Sequence, residues 1–260
     1  MSQLTVSIIQ TDLVWENKVA NLENLERKIM GIKERTELVI LPEMFSTGFS
    51  MNTEMLAEEM EGDTLAWMKK ISFAKKVALT GSFMVKENGC NFNRLVWMLP
   101  NGEYGYYDKR HLFGYAGEDK HFTAGNKRLI ASIKGWRINL LICYDLRFPV
   151  WSRQQSNDEY DILLYVANWP EKRSHAWKSL LTARAIENQS YVIGVNRVGV
   201  DGHGNQHSGD SSIIDPMGEV VFQKSNEAFI HTFTLDKTSL LETRQKLPFL
   251  KDGDSFTILS

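Results

Sequence analysis

Short apolar runs recur along this chain, separated by segments whose apolar residues return at a helical period. Thr5 to Gln10 alternate as a strand does. Over residues 17–35, Val19, Leu22, Leu25, Ile29 and Ile32 fall on one helical face. Glu37 to Leu41 reads as a short buried strand, and 44–61 as a Met- and Glu-containing loop broken by Gly48 and Gly62. A helix over 63–76 leads into a strand from Val77 to Val85. Glu87-Asn88-Gly89 then turns the chain into a strand from Asn91 to Leu99, and Pro100-Asn101-Gly102 turns it again. Asn-Gly between two strand-like runs is a strong hairpin signal.

The second half repeats the alternation. Strands at 128–133 and 137–143 pair across Lys134-Gly135, and a short helix follows at 147–155. Asp161 to Val166 is a strand, 173–189 a helix, Tyr191 to Val195 a strand, and 199–210 a mobile polar loop. Asp215-Pro216-Met217-Gly218 joins two more strands, and a last strand at 229–235 precedes a C-terminal helix. Interleaved helices and strands indicate α/β, and the hairpins exclude an all-parallel sheet. Strands this apolar need cover on both faces. Two mixed sheets packed face to face with helices outside satisfy that need. No Pro/Gly/Ser-rich linker divides the chain, so residues 1–260 read as a single domain.

Composition narrows the partners. The chain is 43% hydrophobic and 24% charged, with a formal net charge of -2. That balance argues against nucleic acid or an anionic membrane as the main partner. Met1-Ser2-Gln3-Leu4 lacks the basic start and apolar stretch of a signal peptide, and no apolar run approaches the ~20 residues of a membrane span. Cys90 and Cys143 form no Cys-x-x-Cys pair, so neither a disulfide framework nor a thiolate zinc site is expected. Cytoplasm is the default location.

Three reactive residue types stand where apolar runs end. Glu43 follows Leu38-Val39-Ile40-Leu41 across Pro42, Lys109 follows Tyr104-Gly105-Tyr106-Tyr107-Asp108, and Cys143 follows Ile138-Asn139-Leu140-Leu141-Ile142. Loops held by a rigid scaffold carry most catalytic residues, so a carboxylate, an ammonium and a thiol at three strand ends can share one site. Each also has a bland reading. A free cysteine in an apolar run is more often a small core hydrophobe, and Cys90 beside its hairpin turn fits that description better than Cys143 does. Glu43 reads alone as a solvated loop acid, and Lys109 in Asp108-Lys109-Arg110-His111 as part of a surface charge run.

Taken together, Leu41-Pro42-Glu43-Met44, Asp108-Lys109-Arg110-His111-Leu112 and Cys143-Tyr144-Asp145-Leu146-Arg147-Phe148-Pro149 resemble the Glu, Lys and Cys motifs of the nitrilase superfamily of carbon–nitrogen hydrolases. Ala183-Arg184-Ala185-Ile186-Glu187-Asn188-Gln189 and Gly209-Asp210-Ser211 with Pro216-Met217-Gly218-Glu219 match in the same order. Tyr144-Asp145-Leu146-Arg147-Phe148-Pro149 and Val166-Ala167-Asn168-Trp169-Pro170 are most similar to bacterial omega-amidases, the 2-oxoglutaramate amidases. The resemblance implies a four-layer αββα sandwich, usually a homodimer joined through helices beside the nucleophile. It needs no cofactor and no metal.

The chemistry it implies suits these residue types. A free thiol, pKa ~8.5, is mostly protonated at neutral pH, so a base or a cation must favour the thiolate. Cys143 would be the nucleophile, Glu43 the general base and Lys109 the neighbouring cation. Lys109 and the Tyr144 backbone N–H would hold the oxyanion, and each such donor contributes ~3–4 kcal/mol. Glu118 fits where the family places a second glutamate that orients Lys109 and the substrate. The expected reaction is 2-oxoglutaramate and water giving 2-oxoglutarate and ammonia through a Cys143 thioester. Its carboxylate needs a cationic anchor, for which Arg147, Arg173 and Arg197 are candidates, though Arg147 also suits holding the turn after Cys143. Trp169 and Pro170 either wall the pocket or pack in the core. Arg184 and Glu187 pair on a helix behind the site, with Asn188 bonding loop backbone. Other readings are a deaminated-glutathione amidase, an N-carbamoyl hydrolase, or a catalytically silent binding protein. A Cys–His site using His111 or His175 is a further alternative, set against structural roles for both rings. His203 and His207, in a glycine-broken loop, make a poor metal site, and no Gly-rich phosphate loop is present.

Overall fold

A computed structural model describes residues 3–155 and 158–258. Met1 and Ser2, which open the segment read above for a leader, lie outside the described residues. The strands of the first half are β1 (Gln3–Gln10), β2 (Leu38–Ile40), β3 (Glu58–Glu59), β4 (Ala78–Glu87), β5 (Cys90–Met98) and β6 (Tyr104–Asp108). Those of the second are β7 (Ile130–Ile133), β8 (Trp136–Ile142), β9 (Ile162–Ala167), β10 (Tyr191–Asn196), β11 (Val198–Val200), β12 (Gln206–Ile214), β13 (Val220–Ser225) and β14 (Phe229–Asp236). The helices are α1 (Lys18–Met30), α2 (Thr53–Leu56), α3 (Asp63–Lys75), α4 (Glu118–His121), α5 (Pro149–Ser152), α6 (Ser174–Asn188) and α7 (Lys237–Lys246).

Two seven-stranded sheets result. One runs β14-β1-β2-β4-β5-β6 with β3 beside β4, the other β11-β12-β10-β9-β8-β7 with β13 beside β12. Both are mixed: β1, β2 and β4 are parallel, as are β8, β9 and β10, while their outer neighbours run antiparallel. Strand alternation sorts the side chains into layers. Leu4, Val6, Ile8, Leu38, Ile40, Leu95 and Trp97 join Ile138, Leu140, Ile162 and Leu164 in one buried cluster between the sheets. The residues one step along, Val39, Leu79, Val96 and Met98, pack instead with Leu25 and Ile29 of α1 and Leu65, Met68 and Ile71 of α3. On the far side α6 covers the second sheet with Trp177, Leu181 and Ala185. It lies so close to β10 that a Cβ on Gly194 would meet Leu181 at 2.6 Å. The order helix, sheet, sheet, helix is the expected αββα sandwich, with the outer helices held by apolar burial worth about 1.5–3 kcal/mol per large side chain.

Several elements depart from the sequence reading. The helix expected over 17–35 stops at Met30, where Gly31 caps it with an N–H to the Arg27 carbonyl at 3.0 Å. Gly weakens a helix, and the chain must turn there to enter β2. The loop at 44–61 contains α2 and β3. The helix expected at 147–155 is a 3-10 turn, Cys143–Arg147, followed by the single turn of α5. The polar loop at 199–210 is largely a hairpin, with β11 paired to β12 and only 201–205 left as its tip. Cys90 is exposed at the start of β5, not a core residue.

Candidate active site

The topology explains why distant residues meet. β5 reverses the direction of β4 and β6 reverses it again, so β2 and β6 end at the same edge of their sheet. The parallel strands β8 and β9 likewise end together in the other sheet. Glu43 and Lys109 follow the first pair, Cys143 and Asn168 the second. Ligand sites in α/β sheets favour such carboxyl ends.

Lys109 is fully buried and binds two carboxylates. Its Nζ donates to Glu43 Oε1 at 2.9 Å and to Glu118 Oε1 and Oε2 at 3.0 and 2.9 Å. Burial alone would lower the Lys109 pKa, but the charges of Glu118 and Glu43 overcome this and hold the ammonium well above its usual range. Glu118 moves upward, through burial first and the Glu43 charge second, against the pull of Lys109. A buried charge cluster of this kind persists because every member is paired.

Cys143 sits at the sharp corner where β8 ends. Its φ of +44° lies in the left-handed region, where a side chain with a Cβ is strained. Asp145 holds that corner. Its Oδ2 accepts from the Ile142 N–H at 3.0 Å and the Tyr107 hydroxyl at 2.7 Å, and its Oδ1 accepts from the His111 N–H at 3.0 Å. Behind it, Arg184 Nη2 donates to the Leu146 carbonyl at 2.6 Å and Nη1 to Glu187 at 3.0 Å, the scaffolding pair expected on α6. Asn188 accepts the Gln154 N–H at 2.9 Å, which is the loop contact expected of it. Burial pushes the Cys143 thiol well up, and the neighbouring Glu43 carboxylate pushes the same way, while Lys109 and the Asn168 N–H pull it back. Both upward causes favour the thiol over the thiolate, and attack by such a sulfur requires that its proton leave. The first turn of the 3-10 segment leaves leading N–H groups without intrahelical acceptors, and Tyr144 belongs to it.

A cavity of about 300 Å³ opens above Cys143. Lys109 and Asn168 line its floor, Phe49, Phe113, Tyr144, Trp169 and Pro170 its walls. Arg147 and Arg173 also face it, and both lie over aromatic rings, Arg147 on Trp169 at 4.8 Å and Arg173 on Phe113 at 5.3 Å. Arg197 does not serve there. It is buried, with Nη2 on Asp12 at 2.6 Å and further bonds to backbone carbonyls. The hairpin closes one side with His203 at its tip and His207 at the start of β12. His207 pairs with Asp201 at 3.2 Å, and His203 packs edge-on to Trp15 at 5.1 Å, so the two rings do not converge on one point. His111 binds Asp145 through Nδ1 at 2.8 Å and stacks on Phe148 at 3.7 Å, and His175 is exposed. Both rings therefore have other settings than the Cys–His pair considered above.

Two residues at the heart of the site were given no role by the sequence reading, although Asn168 stands in one of the motifs that carried the resemblance. Asn168 donates its N–H to Glu43 Oε2 at 2.7 Å and its side-chain amide to the Glu43 carbonyl. Asn93 on β5 donates to Glu43 Oε1 at 2.9 Å and Glu118 Oε1 at 3.2 Å. Asparagine next to a strand run carries no chemistry by itself, so only spatial proximity marks either one.

Comparison with known proteins places this geometry. A family model described as carbon–nitrogen hydrolase matches residues 5–245. The chain is similar to an omega-amidase, YafV, of Escherichia coli strain K12, 43% identical over 99% of this chain and 100% of that protein. It is also similar to a 2-oxoglutaramate amidase of Bacillus subtilis strain 168, 32% identical over 95% of this chain and 96% of that one. Among solved structures, XC1258 of Xanthomonas campestris, a CN-hydrolase superfamily protein with an arsenic adduct in its active site, superposes with a TM-score of 0.97 and 41% identity, covering 99% of this chain and 100% of that chain. Saccharomyces cerevisiae Nit3, a nitrilase superfamily member 22% identical, shares the fold with a TM-score of 0.85 over 95% of this chain and 94% of its own. With the family match spanning most of the chain and relatives aligned end to end, the protein belongs to the carbon–nitrogen hydrolase family of the nitrilase superfamily, as a hydrolase acting on amides.

Proposed function

We propose that the protein is an omega-amidase that hydrolyses the terminal amide of 2-oxoglutaramate, working as one catalytic domain. The observation that carries this reading is the cavity itself. The Cys143 thiol and the Lys109 ammonium line it, the Glu43 carboxylate is bonded to that ammonium from behind, and two arginines lie over its aromatic walls. Arginine forks bind carboxylates well, so Arg147 and Arg173 would hold the substrate's acid end while the amide reaches Cys143. Tyr144 and Trp169 would fix the chain between. The full-length likeness to an omega-amidase and a 2-oxoglutaramate amidase supports the same substrate.

Glu43 takes the Cys143 proton as sulfur attacks the amide carbon. The Tyr144 N–H receives the oxyanion and the Lys109 charge steadies it, with Glu118 holding Lys109 in place. Glu43 then passes the proton to the departing nitrogen, ammonia leaves, and a thioester remains. Water enters, gives a proton to Glu43, and attacks the thioester. Collapse releases the acid and returns the proton to sulfur. The homodimer implied by the resemblance and the cytoplasmic location read as the default from composition belong to this reading. Ile186 on α6 and the nearby Met217 are exposed apolar side chains that support the dimer.

Ammonia release from 2-oxoglutaramate, a deaminated glutathione, an N-carbamoyl acid and a simple nitrile tests the assignment. Release from 2-oxoglutaramate, abolished in Cys143→Ala, is the expected outcome. Release from another member alone would move the substrate, and an active Cys143→Ala would overturn the mechanism.

A further inference from the structure

The two carboxylates around Lys109 differ in how many of their acceptor sites are filled. A carboxylate offers about four lone-pair positions, two per oxygen. On Glu118, Oε1 receives Lys109 Nζ and Asn93 Nδ2, and Oε2 receives Lys109 Nζ and the Phe113 N–H at 2.6 Å. All four positions are taken. On Glu43, Oε1 receives Lys109 Nζ and Asn93 Nδ2, but Oε2 receives only the Asn168 N–H among the described contacts between side chain and backbone donors. One position of Oε2 remains, on the carboxylate whose charge bears on the Cys143 thiol.

Asn93 makes this asymmetry. It is fully buried, and its two amide hydrogens go one to each carboxylate. Its carbonyl oxygen has no hydrogen-bond partner among the described residues. The reverse orientation would aim that oxygen at two acids, so the carboxylates fix the amide as a donor. Its own backbone carbonyl accepts the Lys109 N–H at 3.0 Å, which sets the start of the loop carrying the ammonium. One residue thus touches all three charged members of the site.

We propose that Asn93 is the positioning residue that separates the roles of the two glutamates: it fills the last acceptor position of Glu118 and closes Oε1 of Glu43, leaving Glu43 Oε2 as the oxygen that takes the Cys143 proton. This rests on the reading of Glu43 as base and Cys143 as nucleophile. A proton arriving at Glu118, or at Glu43 Oε1, must first displace a bound donor. A proton arriving at Glu43 Oε2 displaces none. Sulfur loses S–H, Oε2 gains O–H, and the same atom later gives that proton to the leaving nitrogen.

The test compares Asn93→Asp with Asn93→Ala in the full chain. The aspartate keeps the shape but replaces two donors with acceptors and adds a third acid; the alanine removes the donors and leaves a gap. If the amide acts through its donors, kcat falls about 10- to 100-fold in Asn93→Ala, the range expected for losing hydrogen bonds to charged groups, while KM stays close to the wild-type value. Asn93→Asp falls further at neutral pH. The acid limb of the kcat/KM profile moves to higher pH in both, because the carboxylate pair has lost a hydrogen-bond donor that favours its charged form. A residue that merely fills space gives the opposite order, with the isosteric Asp milder than Ala, and an unmoved acid limb; either result overturns the proposal. Thermal melting of both variants separates loss of fold from loss of rate. The profiles are taken on whichever panel amide the wild type hydrolyses, so a wrong substrate leaves the test intact. An active Cys143→Ala would sink the underlying reading instead.

Discussion

Two clusters in this molecule share a formula, one cation between two carboxylates, and differ in everything that follows from it. Lys109 lies between Glu43 and Glu118 with all three side chains at 0% exposure. Arg94, its near neighbour across the β5–β6 ladder, lies between Asp108 at 15% and Glu87 at 38% exposure. The Arg94 fork is bidentate to Asp108 at 2.7 and 2.9 Å and stacks on Tyr106 at 3.8 Å. Its planar donors are committed to fixed partners, and water relieves the two acids. Lys109 is compact, shut away from solvent behind a cavity, and leaves one carboxylate with an open acceptor position. Charge composition therefore does not make a site. Exclusion of water and one unfilled lone pair beside a thiol do.

The sharpest way to break the comparison is to remove each cation in turn. Lys109→Met should abolish turnover, and should also destabilise the fold by about 3–5 kcal/mol, because two buried acids are left without their partner. Arg94→Met should lower stability by about 1–3 kcal/mol, since its acids reach water, and should leave kcat of the folded enzyme within a few-fold of wild type. Denaturant melts with single-turnover rates on the same preparations check both. Equal catalytic loss in the two variants would dissolve the distinction. Removing the proposed base gives the next effect: Glu43→Gln keeps the shape and should cut kcat about 10²–10⁴-fold, the usual worth of general base catalysis. Across the cavity, Arg147→Met and Arg173→Met should raise KM for an acidic amide by about 10-fold each while sparing a neutral short amide, read from paired saturation curves.

The smallest effect is a pH dependence of stability at the cavity rim. Burial first, and then the Arg197 charge, hold the His207 pKa below the ordinary value of 6.5, so its neutral form is favoured by folding. The unfolded chain then binds more protons just below pH 6.5, and stability rises with pH through that window. Acidification from pH 7 towards 5 should lower the melting temperature, and His207→Asn should flatten that slope. An identical slope in the variant would remove His207 as its source.

Much of this was legible in the chain. Alternating runs place the strands because a pleated sheet must bury one side of each, and Glu43, Lys109 and Cys143 stand out because each follows such a run. Glu118 depends on a four-residue helix, α4, folding back beneath Lys109, and its role came from resemblance rather than pattern. The hairpin of β11 and β12 escaped notice because its residues are polar and glycine-rich; its pairing comes from burial against β10 and not from alternation. Arg197 looked free to bind a substrate until Asp12, 185 residues away in sequence, was found against it. Asn168 and Asp145 stand inside quoted motifs, but their roles, like that of Asn93, stayed hidden for the same reason, since an amide or acid gains its role from partners on another strand.

What the sequence determined by itself is which residues end which strands, since hydrophobic period and turn chemistry are local and act within a few residues. That is enough for the αββα layers and for three reactive side chains at strand ends. Only the tertiary structure decided which of those ends meet, which arginine faces the cavity, and which carboxylate keeps an open lone pair. Those outcomes depend on hydrogen bonds of fixed length and direction between segments far apart in the chain, and no local pattern encodes such a distance.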